Sequence, residues 1–264
     1  VEANQLIKGL YTAAAGMMNQ MVRQDVVANN LANVSTGGFK KSITVTGAFP
    51  EMLMSRLGEV KTDSSGRRIA QKPVVAGTVG TGAATSTIHT DYSLGHLKGT
   101  SNYTDLALGG DGYFAVETPG GILYTRSGEF KISITEDGGM LTTSHGFPVL
   151  DINDEPIYME GEFSVDSRGI ITYENEEYAQ LGVYRLEDPQ GWEKLGDNLF
   201  NAEAPERVDN PDIKQGFLEQ SNVNAVEEMV TLISTVRAYE ALQKVVQAED
   251  ELNQVAIDEV GKVI

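Results

Sequence analysis

With 264 residues, the chain exceeds the common domain size of about 100–200 residues, so two domains, or one domain with an extended part, are expected. Its 38 acidic and 20 basic side chains leave a formal net charge of −18, which argues against docking on nucleic-acid phosphates or on an anionic lipid surface. The absence of cysteine excludes disulfides, thiolate metal sites and a cysteine nucleophile.

The first predicted element is a helix from Asn4 to Ala32, about 45 Å long at the standard rise. Leu6, Leu10, Ala14, Met17, Met21, Ala28 and Leu31 recur on one stripe of it. Thr36, Gly37 and Gly38 then supply a stop. No stretch of about 18 apolar residues is present for crossing a membrane. Val1 to Leu10 lacks the basic start and apolar run of a cleaved secretory signal, so any export is expected to use a route that reads no such signal.

Residues 37–87 are rich in Gly, Thr, Ser and Val and predict an extended connector with short strands. Residues 88–217 predict an inserted all-β domain. Tyr113–Thr118 and Ile122–Arg126 flank the turn Pro119-Gly120-Gly121. Phe130–Thr135 and Met140–Thr143 flank Glu136-Asp137-Gly138-Gly139, and Phe163–Val165 and Ile170–Tyr173 flank Asp166-Ser167-Arg168-Gly169.

The last predicted element is a helix from Val223 to Val263, with Ser221 or Asn222 as its N-cap and Glu227 and Glu228 in an early turn, where the helix dipole favours acids. Val226, Met229, Val230, Ile233 and Val236 mark a stripe that Leu242, Val245, Val246, Leu252, Ala256 and Val260 extend. Two long terminal helices cannot each bury a stripe alone. The expectation is that they pack on each other and that residual apolar surface drives oligomerisation. The fold class is therefore α+β: a discontinuous coiled-coil stem of residues 1–36 and 218–264, an extended connector, 37–87, and an inserted β-rich domain, 88–217.

No chemistry emerges from the motifs. His89, His96 and His145 lack metal-binding spacing. Asp151, Asn153, Glu155 and Glu162 imitate a calcium loop, but Pro156 stands where the sharp turn needs Gly. Gly109-Gly110-Asp111-Gly112 lacks the Lys-Ser/Thr of a phosphate loop, and no GxSxG elbow occurs. No catalytic, cofactor-binding or metal-binding residue is predicted, and the chain is not expected to be an enzyme.

Three segments carry a resemblance. Leu10-Tyr11-Thr12-Ala13-Ala14-Ala15-Gly16-Met17 leads into Ala28-Asn29-Asn30-Leu31-Ala32-Asn33-Val34-Ser35-Thr36-Gly37-Gly38-Phe39-Lys40. Asp105 to Val116 is followed by Tyr124-Thr125-Arg126-Ser127-Gly128-Glu129-Phe130. Gly216-Phe217-Leu218-Glu219-Gln220-Ser221-Asn222-Val223-Asn224 leads to Glu228-Met229 and Arg237-Ala238-Tyr239-Glu240. In this order they resemble the flagellar basal-body rod and hook family, with Gly38 beside Gly37 as a small departure. The match leans toward the FlgF-type rod subunit, with the FlgG-type distal rod close behind.

The resemblance implies a structural subunit that assembles with itself into a helical tube, transmits torque from motor to hook in the periplasmic rod, and leaves the cell through the flagellar export apparatus. It implies other rod and hook proteins as partners, no cofactor, no nucleic acid and no membrane insertion. Phe49-Pro50-Glu51-Met52-Leu53 offers a small hydrophobic export-gate element, but ordinary packing is the better explanation of it.

Subunit-interface residues implied by the resemblance are Leu10, Met17, Met21, Asn29, Asn30, Leu31, Asn33, Phe39, Asn222, Val223, Val226, Val230, Ile233, Val236, Arg237, Tyr239 and Glu240. On physical grounds alone, Asn29, Asn30 and Asn33 equally suit backbone capping at a helix end, and Arg237 with Glu240 suits a surface pair. Competing functions are a secreted coiled-coil adhesin with a β-domain receptor and a β-rich hydrolase.

Overall fold

The computed structural model describes residues 2–49, 51–56, 60–62, 68–70, 74–80, 82–135, 138–174, 176–185, 191–202 and 204–261. Helix α1 spans Glu2–Ala32 and helix α2 spans Ala225–Gly261. Between them the described residues form short strands joined by turns. The chain divides into two compact units: residues 1–28, 43–88 and 229–264 form one, and residues 29–42 and 89–228 the other.

In the first unit the terminal helices touch, as their apolar patterns predict. A Cβ placed on Gly16 would lie 3.1 Å from Leu242 Cδ1, and one on Gly9 would lie 2.6 Å from Glu249 Oε1. A step forward from Gly9 to Gly16 on α1 is met by a step back from Glu249 to Leu242, so the helices run antiparallel.

The covered face is not the one that the spacing of large apolar residues marked. Ala13 and Val27 are buried, whereas Leu10, Ala14, Met21 and Ala28 are exposed. Gly16 of α1 allows close approach of Leu242 on α2, whereas Leu10 and Met21 stay in water and Met17 and Leu31 are half-buried. The side chains of Leu6, Ala256 and Val260, and residues 262–264, lie outside the described residues.

The predicted connector contributes a nested β-ribbon to this unit. Strand Ser42–Ala48 pairs with Ala83–Thr90, Met52–Arg56 with Val74–Val79, and Val60–Thr62 with Arg68–Ala70. The ribbon is fastened to α1 by the Thr85 hydroxyl, which donates to Asn19 Oδ1 at 2.6 Å. Pro50, inside the segment that resembles an export element, lies outside the described residues, as do the side chains of Met52 and Leu53.

The second unit is built on a six-stranded antiparallel sheet in the order Glu193–Lys194, Leu199–Asn201, Gly121–Thr125, Tyr113–Thr118, Val183–Arg185, Glu206–Arg207. Its central hairpin is the one that Pro119-Gly120 signals, with Gly121 opposite Thr118. Phe130–Thr135 pairs with Gly138–Thr143, and Ser164–Val165 with Ile170–Tyr173, again where the turn residues place them. Residues 136 and 137 of the second turn lie outside the described residues.

Leu106, Phe114, Val116, Phe130, Leu141, Val149 and Ile171 fill one core. Tyr113, Tyr124, Trp192 and Phe200 fill a second, aromatic one. Burial of such side chains contributes about 1.5–3 kcal/mol each and supplies the main drive for this unit.

The N-cap of α2 is neither Ser221 nor Asn222. Asn224 Oδ1 accepts from the backbone N–H of Val226 at 3.1 Å and of Glu227 at 3.4 Å. The first turn therefore starts later, because Ser221 and Asn222 are engaged elsewhere: Ser221 Oγ accepts from Val223 N, and Asn222 bonds to other segments.

Candidate functional site

Three charged side chains meet in the interior of the second unit. Lys40 follows the turn after α1, Arg126 follows the hairpin strand Gly121–Thr125, and Glu219 ends the strand Phe217–Glu219. They are 1%, 2% and 2% exposed. Glu219 Oε1 accepts from Lys40 Nζ at 2.6 Å and from the Gly95 N–H at 2.8 Å. Arg126 Nε donates to Glu219 Oε2. The remaining donors are also used: Lys40 Nζ reaches Ser93 O at 2.8 Å, and the Arg126 guanidinium reaches the carbonyls of Gly112 and Leu108.

Burial pushes the Glu219 carboxyl up, but the charge of Arg126 and the bond and charge of Lys40 outweigh it and hold the group below the ordinary carboxylate range. Burial likewise depresses the Lys40 ammonium, in spite of the bond to Glu219. A saturated set of this kind orders a fold; it offers no free acid, base or nucleophile to a substrate.

The loop that carries Lys40 is shaped for this contact. Gly38 has φ 68°, and a Cβ on it would lie 2.6 Å from the backbone carbon of Arg126 and from Ser127 N. Gly38 N donates to Glu219 O at 2.8 Å. The extra glycine of the first motif is thus a steric requirement of packing on the Arg126 strand. Asn30 holds the other side of the loop, donating to Ser42 O and accepting from Ser42 N, both at 2.9 Å. Asn222 accepts from Lys41 N at 2.8 Å and donates to Asp91 O at 2.9 Å. Lys194 Nζ donates to Lys40 O at 2.8 Å and sits 3.8 Å from the centre of the Phe39 ring.

Several residues marked as interface positions are therefore occupied inside their own unit. Asn30, Phe39 and Val223 are buried, and Asn222 is half-buried and bonded as above. Asn33 donates to Asn29 O at 2.9 Å, the capping use that the helix end allowed. Leu31, Met17, Val236 and Tyr239 are half-buried, and Asn29, Arg237 and Glu240 are exposed.

The apolar stripe of α2 is different. Val226, Val230 and Ile233 are 68%, 63% and 54% exposed. Val255 returns to the same helical line at 55%, with Arg237, Glu240 and Lys244 between the two apolar ends. The opposite side is covered at Thr235, whose hydroxyl donates to Thr231 O within the helix. Leu10, at 36%, and Met21, at 51%, are the exposed counterparts on α1.

The imitation of a calcium loop resolves into a turn. Asp151 Oδ1 accepts from Asn153 N at 2.7 Å and Glu155 N at 2.9 Å, so the carboxylate serves its own backbone. Among the described residues no group of three His, Cys, Asp or Glu is placed to hold a metal ion. Also among them, no helix is long and apolar enough to cross a membrane.

The motifs quoted Lys40, Arg126 and Glu219 without joining them. Two of the three are cationic and one anionic, but Lys40 alone is the single charge of its motif; Asp105, Asp111 and Glu129 accompany Arg126, and Glu228, Arg237 and Glu240 accompany Glu219. Nothing in the spacing says that they converge.

Three family descriptions match the chain. "Flagella basal body rod protein" matches residues 10–40, "Flagellar hook protein FlgE/F/G D1 domain" residues 107–173, and "Flagellar basal body rod FlgEFG protein C-terminal" residues 214–259. Each triad member falls in a different one of these segments. The flagellar basal-body rod protein FlgG of Borreliella burgdorferi is 32% identical over 271 residues, covering 95% of this chain and 98% of its own. The rod protein FlgF of Caulobacter vibrioides is 33% identical over 260 residues, covering 96% and 98%. The flagellar hook-basal body complex protein FlhO of Bacillus subtilis is 31% identical over 280 residues, covering 98% and 100%.

Proposed function

The chain belongs to the flagellar basal-body rod protein family, and on that premise we propose that it is a structural subunit of the bacterial flagellar rod that polymerises through its terminal helices. The observation that carries the polymer is the exposure of Val226, Val230 and Ile233 on α2. A row of large apolar side chains at helical spacing stabilises nothing while it faces water, and it gains roughly 25 cal/mol per Å² when a neighbour covers it. Residues 1–36 and 218–264 act as the polymerisation part, 37–87 as the connector and 88–217 as the outer β part.

Within the polymerisation part, Leu10, Met21, Val226, Val230 and Ile233 meet neighbouring subunits, with Arg237 and Glu240 fixing register. Asn30, Phe39, Asn222 and Val223 support the contact indirectly, by holding the helix ends to the β unit that carries them. Partners are further copies of this chain and adjoining rod and hook proteins. The site of action is the basal body, reached through the flagellar export apparatus. Identity to FlgG and FlgF relatives is nearly equal, and the structural role is common to both.

The test is polymer growth of the purified full chain, followed by sedimentation and electron microscopy, together with motility of cells that carry Ile233→Asp. Filaments from the parent protein, and neither filaments nor swimming from the variant, are expected. A parent that stays monomeric at high concentration, together with variant cells that swim normally, sinks the proposal.

A further inference from the structure

Among the described residues, methionine exposure divides by position. Met159 is 5% exposed in the β core, and Met17 and Met140 are half-buried. Met18, Met21 and Met229 are 69%, 51% and 45% exposed, and all three lie on the terminal helices. Met18 stands two helical turns from Tyr11, which is 70% exposed, and one turn from Met21. Met229 lies within the exposed stripe of Val226, Val230 and Ile233. The chain has no cysteine, so no thiol competes for a two-electron oxidant.

We propose that Met18, Met21 and Met229 are oxidation sites of the unassembled subunit, and that their conversion to methionine sulfoxide by hydrogen peroxide blocks polymerisation. The inference rests on the polymer reading given above. In each event the thioether sulfur donates a lone pair to one peroxide oxygen. An S–O bond forms and the O–O bond breaks. The second oxygen leaves as hydroxide with the electron pair and becomes water by taking up a proton, while the oxygen now bound to sulfur releases its own. Sulfur is oxidised by two electrons and the peroxide is reduced by two. The product is a strongly polar group in an apolar stripe, which a neighbouring helix covers only by desolvating it. Assembly hides the same sulfurs, so damage falls on free subunits, and methionine sulfoxide reductases of both stereospecificities reverse it.

The experiment treats purified full-length protein with hydrogen peroxide and maps sulfoxide by peptide mass spectrometry. Met18, Met21 and Met229 are expected to oxidise first, with Met159 spared. Treated protein is expected to need about a tenfold higher concentration to grow filaments, the factor that a loss of about 1.4 kcal/mol produces. Incubation with both reductases restores growth. In the combined variant Met18→Leu, Met21→Leu, Met229→Leu, the ratio of treated to untreated growth stays near one.

Oxidation of Met159 as fast as Met18 overturns the site assignment. Undiminished growth of protein whose three sites are fully oxidised overturns the inference and leaves the polymer reading standing. Untreated protein that forms no filaments brings down the polymer reading and this inference with it.

Discussion

Replacing Glu219 with Gln tests whether the buried triad holds the β unit together. The substitution keeps the side-chain shape and removes the carboxylate that Lys40 and Arg126 share in the interior. The new amide keeps one oxygen, either where it accepts from Lys40 and the Gly95 N–H or where it accepts from Arg126, and in each case its nitrogen faces a cation. An ammonium and a guanidinium, 1% and 2% exposed, lose the counter-charge they contact. Breaking a buried pair by removing one partner costs about 3–5 kcal/mol. Total domain stability is about 5–15 kcal/mol, so the variant should lie near the edge of folding.

Trp192 is the single tryptophan of the chain and is buried in the aromatic core of the same unit, so its fluorescence reports this unit alone. Urea unfolding followed at Trp192 should show the midpoint falling by the amount that about 4 kcal/mol dictates. Lys40→Met should cost much less in the Glu219→Gln background than in the parent, because the ammonium is then a liability. A Glu219→Gln loss below about 1 kcal/mol, the level of an exposed ion pair, would refute the argument.

Four further outcomes are expected. Gly38→Ala should destabilise the β unit by more than about 1 kcal/mol, since φ 68° and the 2.6 Å approach to the Arg126 backbone both oppose a Cβ; an unchanged Trp192 midpoint counts against it. Because the Glu219 carboxyl is held below its unfolded value of 4.5, its contribution is complete above that pH and is lost as pH falls through the folded value; acid titration of the parent and Glu219→Gln should converge at low pH. Burial lowers the Lys194 ammonium to about 8 from 10.5, so between those values the unfolded chain binds the extra proton and stability rises with pH; Lys194→Met should remove that rise in melts from about pH 7 to 11. A fragment of residues 88–217 contains Arg126 but neither Lys40 nor Glu219, so it should melt below the full chain at Trp192; equal melting would show that the triad is dispensable.

Local physics was legible in the chain itself. The helices follow from apolar spacing and the absence of Pro, and the hairpins follow from Pro119-Gly120 and Ser167-Arg168-Gly169, because turn chemistry and periodicity act over a few residues. The family motifs, too, are strings of adjacent residues. What lay beyond such reading depends on contacts between distant segments. Spacing marked which side chains of α1 share a face, but packing on Gly16 selected the face with small residues and left Met21 and Leu10 in water.

Ser221 and Asn222 have capping chemistry, yet Asn224 caps α2 because Asn222 is drawn to Lys41 and Asp91. The innermost pair of the connector's ribbon, Val60–Thr62 with Arg68–Ala70, is local, but the outer strands, Met52–Arg56 with Val74–Val79 and Ser42–Ala48 with Ala83–Thr90, close through partners much farther along the chain. Lys40, Arg126 and Glu219 stand far apart along the chain, and a charge carries no local mark of its future counter-ion. Their meeting, and with it the need for Gly38, was decided by tertiary structure, where burial makes an unpaired charge intolerable and a paired one specific.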